Sequence, residues 1–350
     1  MRAVWPGGGR LMDEGLERYS RQMLFEGIGR VGQKKLLGCR VAIAGCGALG
    51  TGIADKLARA GVGFLRLIDR DFVELNNLQR QVLFTEEHVE KRLPKAVAAV
   101  EALREINSAI EIESAVQDID PSSVEWLLEG IDLVMDGTDN IETRLLVNDA
   151  CVKADIPWVH GAALGSCGQE MAIIPHKSAC YRCYLPQLPD SPLEGCEVHG
   201  ILNTVTGIVS AIESTHAFKI LTGDLDFPSM MTFIDVWEGE VRQFAVDRDP
   251  ECPACGKGEY EFLDRIASSW TSRLCGRNAV QITPATPMDI DFRELTESLE
   301  KIGKVTDNGY LLTLLVDDYE LIVFPTGRVM VRGTTDPAVA RSLCSKYIGM

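Results

Sequence analysis

Apolar residues in the first half of the chain come in short runs, at 41–44, at 64–68 with only Arg66 interrupting, and at 133–135, separated by stretches where they recur every three to four positions. Runs of that length predict strands buried on both faces, and the longer period between them predicts covering helices. The expected order is strand 40–45, helix 49–60, strand 64–69, helix 94–106, strand 110–115, helix 121–129, strand 132–136, helix 140–154 and strand 157–160. Such alternation implies an α/β fold, Rossmann-like, with a mostly parallel sheet and helices on both faces. Ahead of it, Leu16, Tyr19, Met23 and Leu24 keep a helical spacing that predicts a helix over 15–37, with Arg18, Arg21 and Gln22 off its apolar stripe. Behind it, a hairpin of 169–175 and 231–241 flanks a long helix near 202–221.

After Cys255 the period fades over 256–287, and a second pattern begins. A strand at 279–282, a helix at 292–302, three hairpin-linked strands at 310–316, 320–324 and 328–331, and a helix at 336–347 predict a small α+β domain. The expected division is 1–261 and 279–350, in line with a length that allows about two domains. The small unit faintly resembles one half-repeat of the TATA-binding-protein fold around 321–333, in shape only. Cys275 and Cys344 within it read as packing residues.

The net charge of −16 lies almost wholly in the first unit, since residues 262–350 carry 10 basic against 11 acidic side chains. That balance argues against binding nucleic acid or an anionic membrane, and a docking or dimer-supporting role for the second unit is preferred. No run is apolar enough to span a bilayer, and residues 1–10 lack a signal-peptide core, so the cytoplasm is expected. Eleven cysteines include Cys180-Tyr-Arg-Cys183 and Cys252-Pro-Ala-Cys255. In a reducing compartment two such knuckles point to one closed, structural Zn2+ site; two unrelated thiol pairs are the alternative.

The chemistry gathers around Gly45-Cys-Gly47-Ala-Leu-Gly50, which follows the 41–44 run. Those glycines let a strand turn sharply into a helix whose backbone N–H groups face a phosphate. Asp69 ends the next strand, where a ribose-binding carboxylate is expected about 20 residues on. Beyond it, Asp71, Asn77, Arg80 and Gln81 form a polar cluster that a dinucleotide does not need and a triphosphate does. Arg80 offers a planar fork to phosphate oxygens and Lys95 a point charge. Asp139 and Asn140 follow the 132–136 strand at the same sheet edge, where a carboxylate can hold Mg2+ against the phosphates. Asp136 and Asp71 either share that metal or cap the turns. His160 reads as a packed residue, and Cys46 as a small hydrophobe.

With the glycine loop, Asp69, the 76–81 segment, Lys95, 138–140, both knuckles and Cys196 in order, the chain from Arg18 to about Cys255 resembles the ThiF/MoeB/HesA family, bacterial relatives of ubiquitin-activating enzymes. The resemblance implies ATP-dependent adenylation of the C-terminal glycine of a small ubiquitin-fold carrier ending in Gly-Gly, with release of pyrophosphate. It implies a homodimer in which Arg21 reaches the partner's nucleotide; a helix-face salt bridge is the alternative. It places Cys196 in a loop over which the carrier tail is threaded, as a covalent acceptor or as a bystander thiol. A sulfur donor or conjugation partner would act downstream. Two rivals stay open: an NAD-dependent oxidoreductase, which leaves Arg80 and Lys95 unexplained, and a noncatalytic docking scaffold.

Overall fold

The computed structural model describes residues 15–187, 199–265, 270–274, 278–284, 288 and 290–349. The chain enters through two 3₁₀ turns, Glu17–Tyr19 and Gln22–Leu24, and a short helix α1, Gly29–Leu36. The continuous helix expected over 15–37 is therefore corrected. Gly27 and Gly29 interrupt it, Gly29 at φ +58°, and Tyr19 is drawn sideways onto Gly61, where Asn107 donates to its hydroxyl at 2.9 Å. Tyr19 and Gln22 anchor the segment, the latter donating to Ala60 O at 3.0 Å, while Arg21 stays exposed.

The parallel part runs β1 Arg40–Ala44, α2 Ala48–Ala60, β2 Phe64–Ile68, α3 Glu86–Glu90, α4 Lys95–Ile106, β3 Glu111–Ala115, α5 Val124–Leu127, β4 Leu133–Asp136, α6 Ile141–Ala154 and β5 Trp158–Leu164. It continues antiparallel through β6 Cys167–Ile173, then α7 Tyr181–Tyr184 and α8 Asn203–Thr222, and closes with β7 Met230–Asp235 and β8 Glu240–Ala245. The sheet order β3-β2-β1-β4-β5-β6-β7-β8 reverses direction of winding between β1 and β4. A crevice at the carboxyl ends of those two strands is where open α/β sheets bind ligands. Two cores sandwich the sheet, one under α2, α4 and α8 around Ile43, Leu57 and Leu67, the other under α5 and α6 around Leu127, Leu145 and Trp158. No helix among the described residues is long and apolar enough to cross a membrane.

The second sheet comprises β9 Trp270–Leu274, β10 Ala279–Thr283, β11 Lys304–Asp307, β12 Leu312–Val316, β13 Tyr319–Val323 and β14 Val329–Arg332, with helices α9 Phe292–Leu299 and α10 Pro337–Tyr347. It is antiparallel throughout, in the order β11-β12-β13-β14-β10-β9. Side chains alternate across a strand, and here both faces are covered. Leu321, Val323, Val329 and Val331 share a core with Leu299, Ala340 and Cys344 of the helices, whereas Ile322, Phe324 and Met330 pack with Phe72, just after β2. Cys344 is thus the packing residue its sequence suggested, while Cys275 lies outside the described residues.

Candidate functional site

The site forms where β1, β2 and β4 end. Gly45 leaves β1 at φ +94°, and a β-carbon there would lie 2.6 Å from the Gly137 carbonyl oxygen. Conversely, a β-carbon on Gly137 would sit 2.5 Å from Gly45 O, and one on Gly50 only 1.8 Å from it. These three glycines are required by backbone contact alone. Gly47 differs, since its nearest neighbour would be Gly137 O at 3.7 Å. Gly47 is the N-cap of α2 without any side-chain cap, so the opening N–H groups of a 13-residue helix point outward without an intrahelical acceptor. That cradle, open over Gly47 and charged by the helix dipole, fits a phosphate.

Asp69, at the end of β2, accepts from Cys46 N and Asp71 N, each at 2.7 Å, which ties the glycine loop to the next strand. Burial raises its pKa, against the pull of nearby Lys95. Two segments then run side by side. Lys95 N donates to Asp71 O at 2.8 Å and Val73 N to Leu93 O at 2.9 Å, so the residues after Asp69 and those before Lys95 form one unit. Lys95 is buried, with Nζ 3.5 Å from Asp71 Oδ2. Arg80 is half-buried and donates to Asn76 O at 2.8 Å; Asn77 is buried, its Oδ1 accepting from Glu74 N at 3.1 Å in the turn that carries Arg80. Asp139 and Asn140 are exposed at the start of α6, where Asn140 Oδ1 caps Thr143 N at 2.8 Å. Cys196 lies outside the described residues.

Two charged groups near the site escaped sequence reasoning. Arg70 pairs with Asp118 at 2.6 Å; burial works against its charge, but Asp118 and Asp71 outweigh it and hold the guanidinium firmly protonated. Arg144 on α6 donates from Nε to Asp136 at 3.2 Å and from Nη2 to Thr138 O at 2.7 Å. Asp136 also accepts from Thr138 N and Oγ1, at 2.9 and 2.7 Å, and meets His160 Nδ1 at 2.8 Å. Burial pushes the Asp136 carboxyl up, yet Arg144 and His160 bring it below its ordinary value. Its oxygens are thus spent on the turn that presents Asp139. His160 is fully buried, and burial lowers its pKa.

Behind this network Glu213 of α8 is fully buried, and among the described residues neither carboxylate oxygen has a hydrogen-bond partner. Burial, Asp136 and Glu170 raise its pKa well above 4.5. A group that keeps its proton in the folded chain but loses it when unfolded destabilises the fold as pH rises through that window, beginning near the unfolded value. Glu213→Gln should therefore flatten the fall in melting temperature between pH 5 and pH 8 and give the more stable protein at pH 8, as read by thermal scans; an unchanged slope rejects the protonated assignment.

On the far side of the sheet, Cys180 opens α7 and Cys252 precedes a helical turn, Pro253–Lys257. The sulfurs of Cys180, Cys183, Cys252 and Cys255 lie within 4.8 Å of one another, with Cys180–Cys252 at 3.7 Å and Cys183–Cys255 at 3.4 Å. Tetrahedral Zn–S bonds of about 2.3 Å set S···S separations near ~3.8 Å. The donor set and spacing fit zinc, and Asp249 N, 3.5 Å from Cys183 Sγ, supplies an outer hydrogen bond of the kind that steadies a thiolate.

The ThiF family profile matches residues 19–254, taking in the glycine loop, both arms of the site and three of the four knuckle cysteines. The sulfur carrier protein ThiS adenylyltransferase of Bacillus subtilis is 41% identical over 336 residues, covering 95% of this chain and 99% of that protein. The SAMP-activating enzyme E1 of Haloferax volcanii is 35% identical over 253 residues, covering 72% and 93%. Among solved structures, Escherichia coli MccB in complex with MccA-N7isoASN aligns with a TM-score of 0.62 at 25% identity, over 70% of this chain and 76% of MccB. Winding reversal, glycine cradle and profile agree, and the chain is an adenylyltransferase belonging to the ThiF family.

Proposed function

We propose that the protein uses ATP to adenylate the C-terminal glycine of a small ubiquitin-fold carrier protein, releasing pyrophosphate, ahead of thiolation or conjugation. The observation that carries this is the pairing of residues 71–73, just after Asp69, with residues 93–95, ending at Lys95, by two backbone hydrogen bonds beside an open helix N-terminus. Relatives named for activating ThiS and SAMP support the choice of carrier.

A carboxylate is a poor electrophile because it would have to expel oxide; as a mixed anhydride it expels AMP instead. One glycine carboxylate oxygen attacks the α-phosphorus, and the bond from that phosphorus to the pyrophosphate oxygen breaks. The protein's work is alignment and charge neutralisation. Gly45, Gly47 and Gly50 let backbone approach the phosphates, Asp69 takes the ribose, and Asn77, Arg80 and Lys95 serve the phosphates. Asp139, with Asn140 beside it, would hold Mg2+, whose charge supports departing pyrophosphate. The four cysteines would hold Zn2+ as a staple between 180–183 and 252–255, with no direct part in the reaction. Residues 1–261 carry this chemistry in the cytoplasm, with 279–350 as an added α+β domain. A homodimer, in which Arg21 serves the partner's nucleotide, is supported by exposed Leu24, Phe25 and Val31 close to Arg21 in sequence.

The test is exchange of labelled pyrophosphate into ATP against a panel of small carriers. Exchange should appear only with a carrier whose C-terminal glycine is free and vanish when its last two glycines are deleted. Exchange indifferent to that deletion would reject the carrier assignment.

A further inference from the structure

The six-stranded sheet is not hung beside the nucleotide site but pressed against the two segments that build it. Just after the β13–β14 turn stands Arg328, a guanidinium only 4% exposed. The turn is closed by Phe324 N on Arg328 O at 2.9 Å and Gly327 N on Phe324 O at 3.0 Å, and Phe324 lies 3.5 Å under the Arg328 guanidinium. Its Nη1 donates to buried Gln281 at 3.3 Å and lies 3.9 Å from Asp71 Oδ1, while Nη2 donates to the Arg70 carbonyl. One planar fork thus spans the residue after Asp69 and the carboxylate facing Lys95. Burial lowers the Arg328 pKa to about 10, so it remains a cation at neutral pH.

Contacts on either side repeat the pattern. Arg332 of β14 pairs with Glu74, further along the first arm. On the second arm, Arg92 stands at φ +50°, three residues before Lys95; Asn308 donates to its carbonyl at 3.0 Å, and its guanidinium meets Glu320 at 2.7 Å.

We propose that Arg328 is a positioning residue for the nucleotide: held by the second sheet, it fixes the turn at 69–71 and so sets Asp69 and, through Asp71, Lys95 for ribose and phosphate. The proposal rests on the nucleotide assignment above. A buried fork that contacts a turn at two points removes that turn's freedom before ligand arrives, and preorganisation lowers the cost of binding. Lysine keeps the charge but not the fork.

The test is calorimetric titration of the full chain with α,β-methylene-ATP, which needs no carrier. Arg328→Lys should weaken binding about fivefold and Arg328→Ala more, and the Arg328→Lys loss should shrink in an Asp71→Asn background, because residues sharing one network do not add. Should the Arg328 variants prove insoluble, Gln281→Met, which releases Nη1 without touching its charge, should also weaken binding. Unchanged affinity in the soluble variants, or losses that simply add, overturns the proposal alone. A wild-type chain that binds no nucleotide overturns the nucleotide assignment and this proposal with it.

Discussion

Replacing Asp139 by alanine should lower pyrophosphate–ATP exchange by about a thousandfold while leaving thermal stability near that of the unaltered protein. Asp139 is exposed beyond β4, so its loss opens no cavity and strands no buried partner. What it removes is the carboxylate proposed to hold Mg2+ where charge builds as pyrophosphate leaves. Asp69→Ala should behave differently, raising KM for ATP more than it lowers kcat, because the proposed ribose contact is made equally before and during the reaction, and lowering thermal stability as well, because Cys46 N and Asp71 N lose their acceptor. Asp136→Ala should fail for a third reason: Arg144 and His160 would be left buried without their shared carboxylate. Steady-state exchange kinetics beside thermal scans separate the three, and full exchange by Asp139→Ala would end the metal assignment.

The cysteine cluster predicts the opposite signature. Cys183→Ser or Cys252→Ser should lower the melting temperature by about 10 °C, with a smaller effect on exchange at low temperature. The four sulfurs join 180–183 to 252–255, and Cys180, Cys252 and Cys255 belong to the core beneath α6 with Trp158 and Tyr181. Losing the ion would therefore loosen the packing beneath α6 without removing any group proposed to touch ATP. Metal analysis of protein prepared without chelator should give one zinc per chain; a zinc-free, fully stable preparation would dismiss the site.

Local signals were legible and distant ones were not. The run at 41–44 followed by three spaced glycines specifies strand, turn and helix within a dozen residues, and the structure places them so. The knuckle cysteines were legible because thiolate pairs have few other uses in that spacing. The entry segment misled because Leu24 keeps a helical interval from Leu16 yet ends up exposed, once Gly61 has drawn the ring of Tyr19 inward. Strand β11 and helix α3 were passed over, each five residues or fewer. Asp136 could be read as metal ligand or turn cap; only its four surrounding donors decide for the turn. Arg328 meets Arg70 across 258 positions, and no periodicity reaches that far.

The glycines of the nucleotide loop carry a consequence for mutational tolerance. Gly45, Gly50 and Gly137 exclude side chains by meeting one another's backbone, so enlarging any one cannot be compensated by trimming a neighbour. Gly47 meets no such obstacle within the protein. In a library selected only for folded chains, position 47 should drift while the other three stay fixed; selection for catalysis should fix all four. The gap between the two outcomes would mark where the fold's demand stops and the ligand's begins.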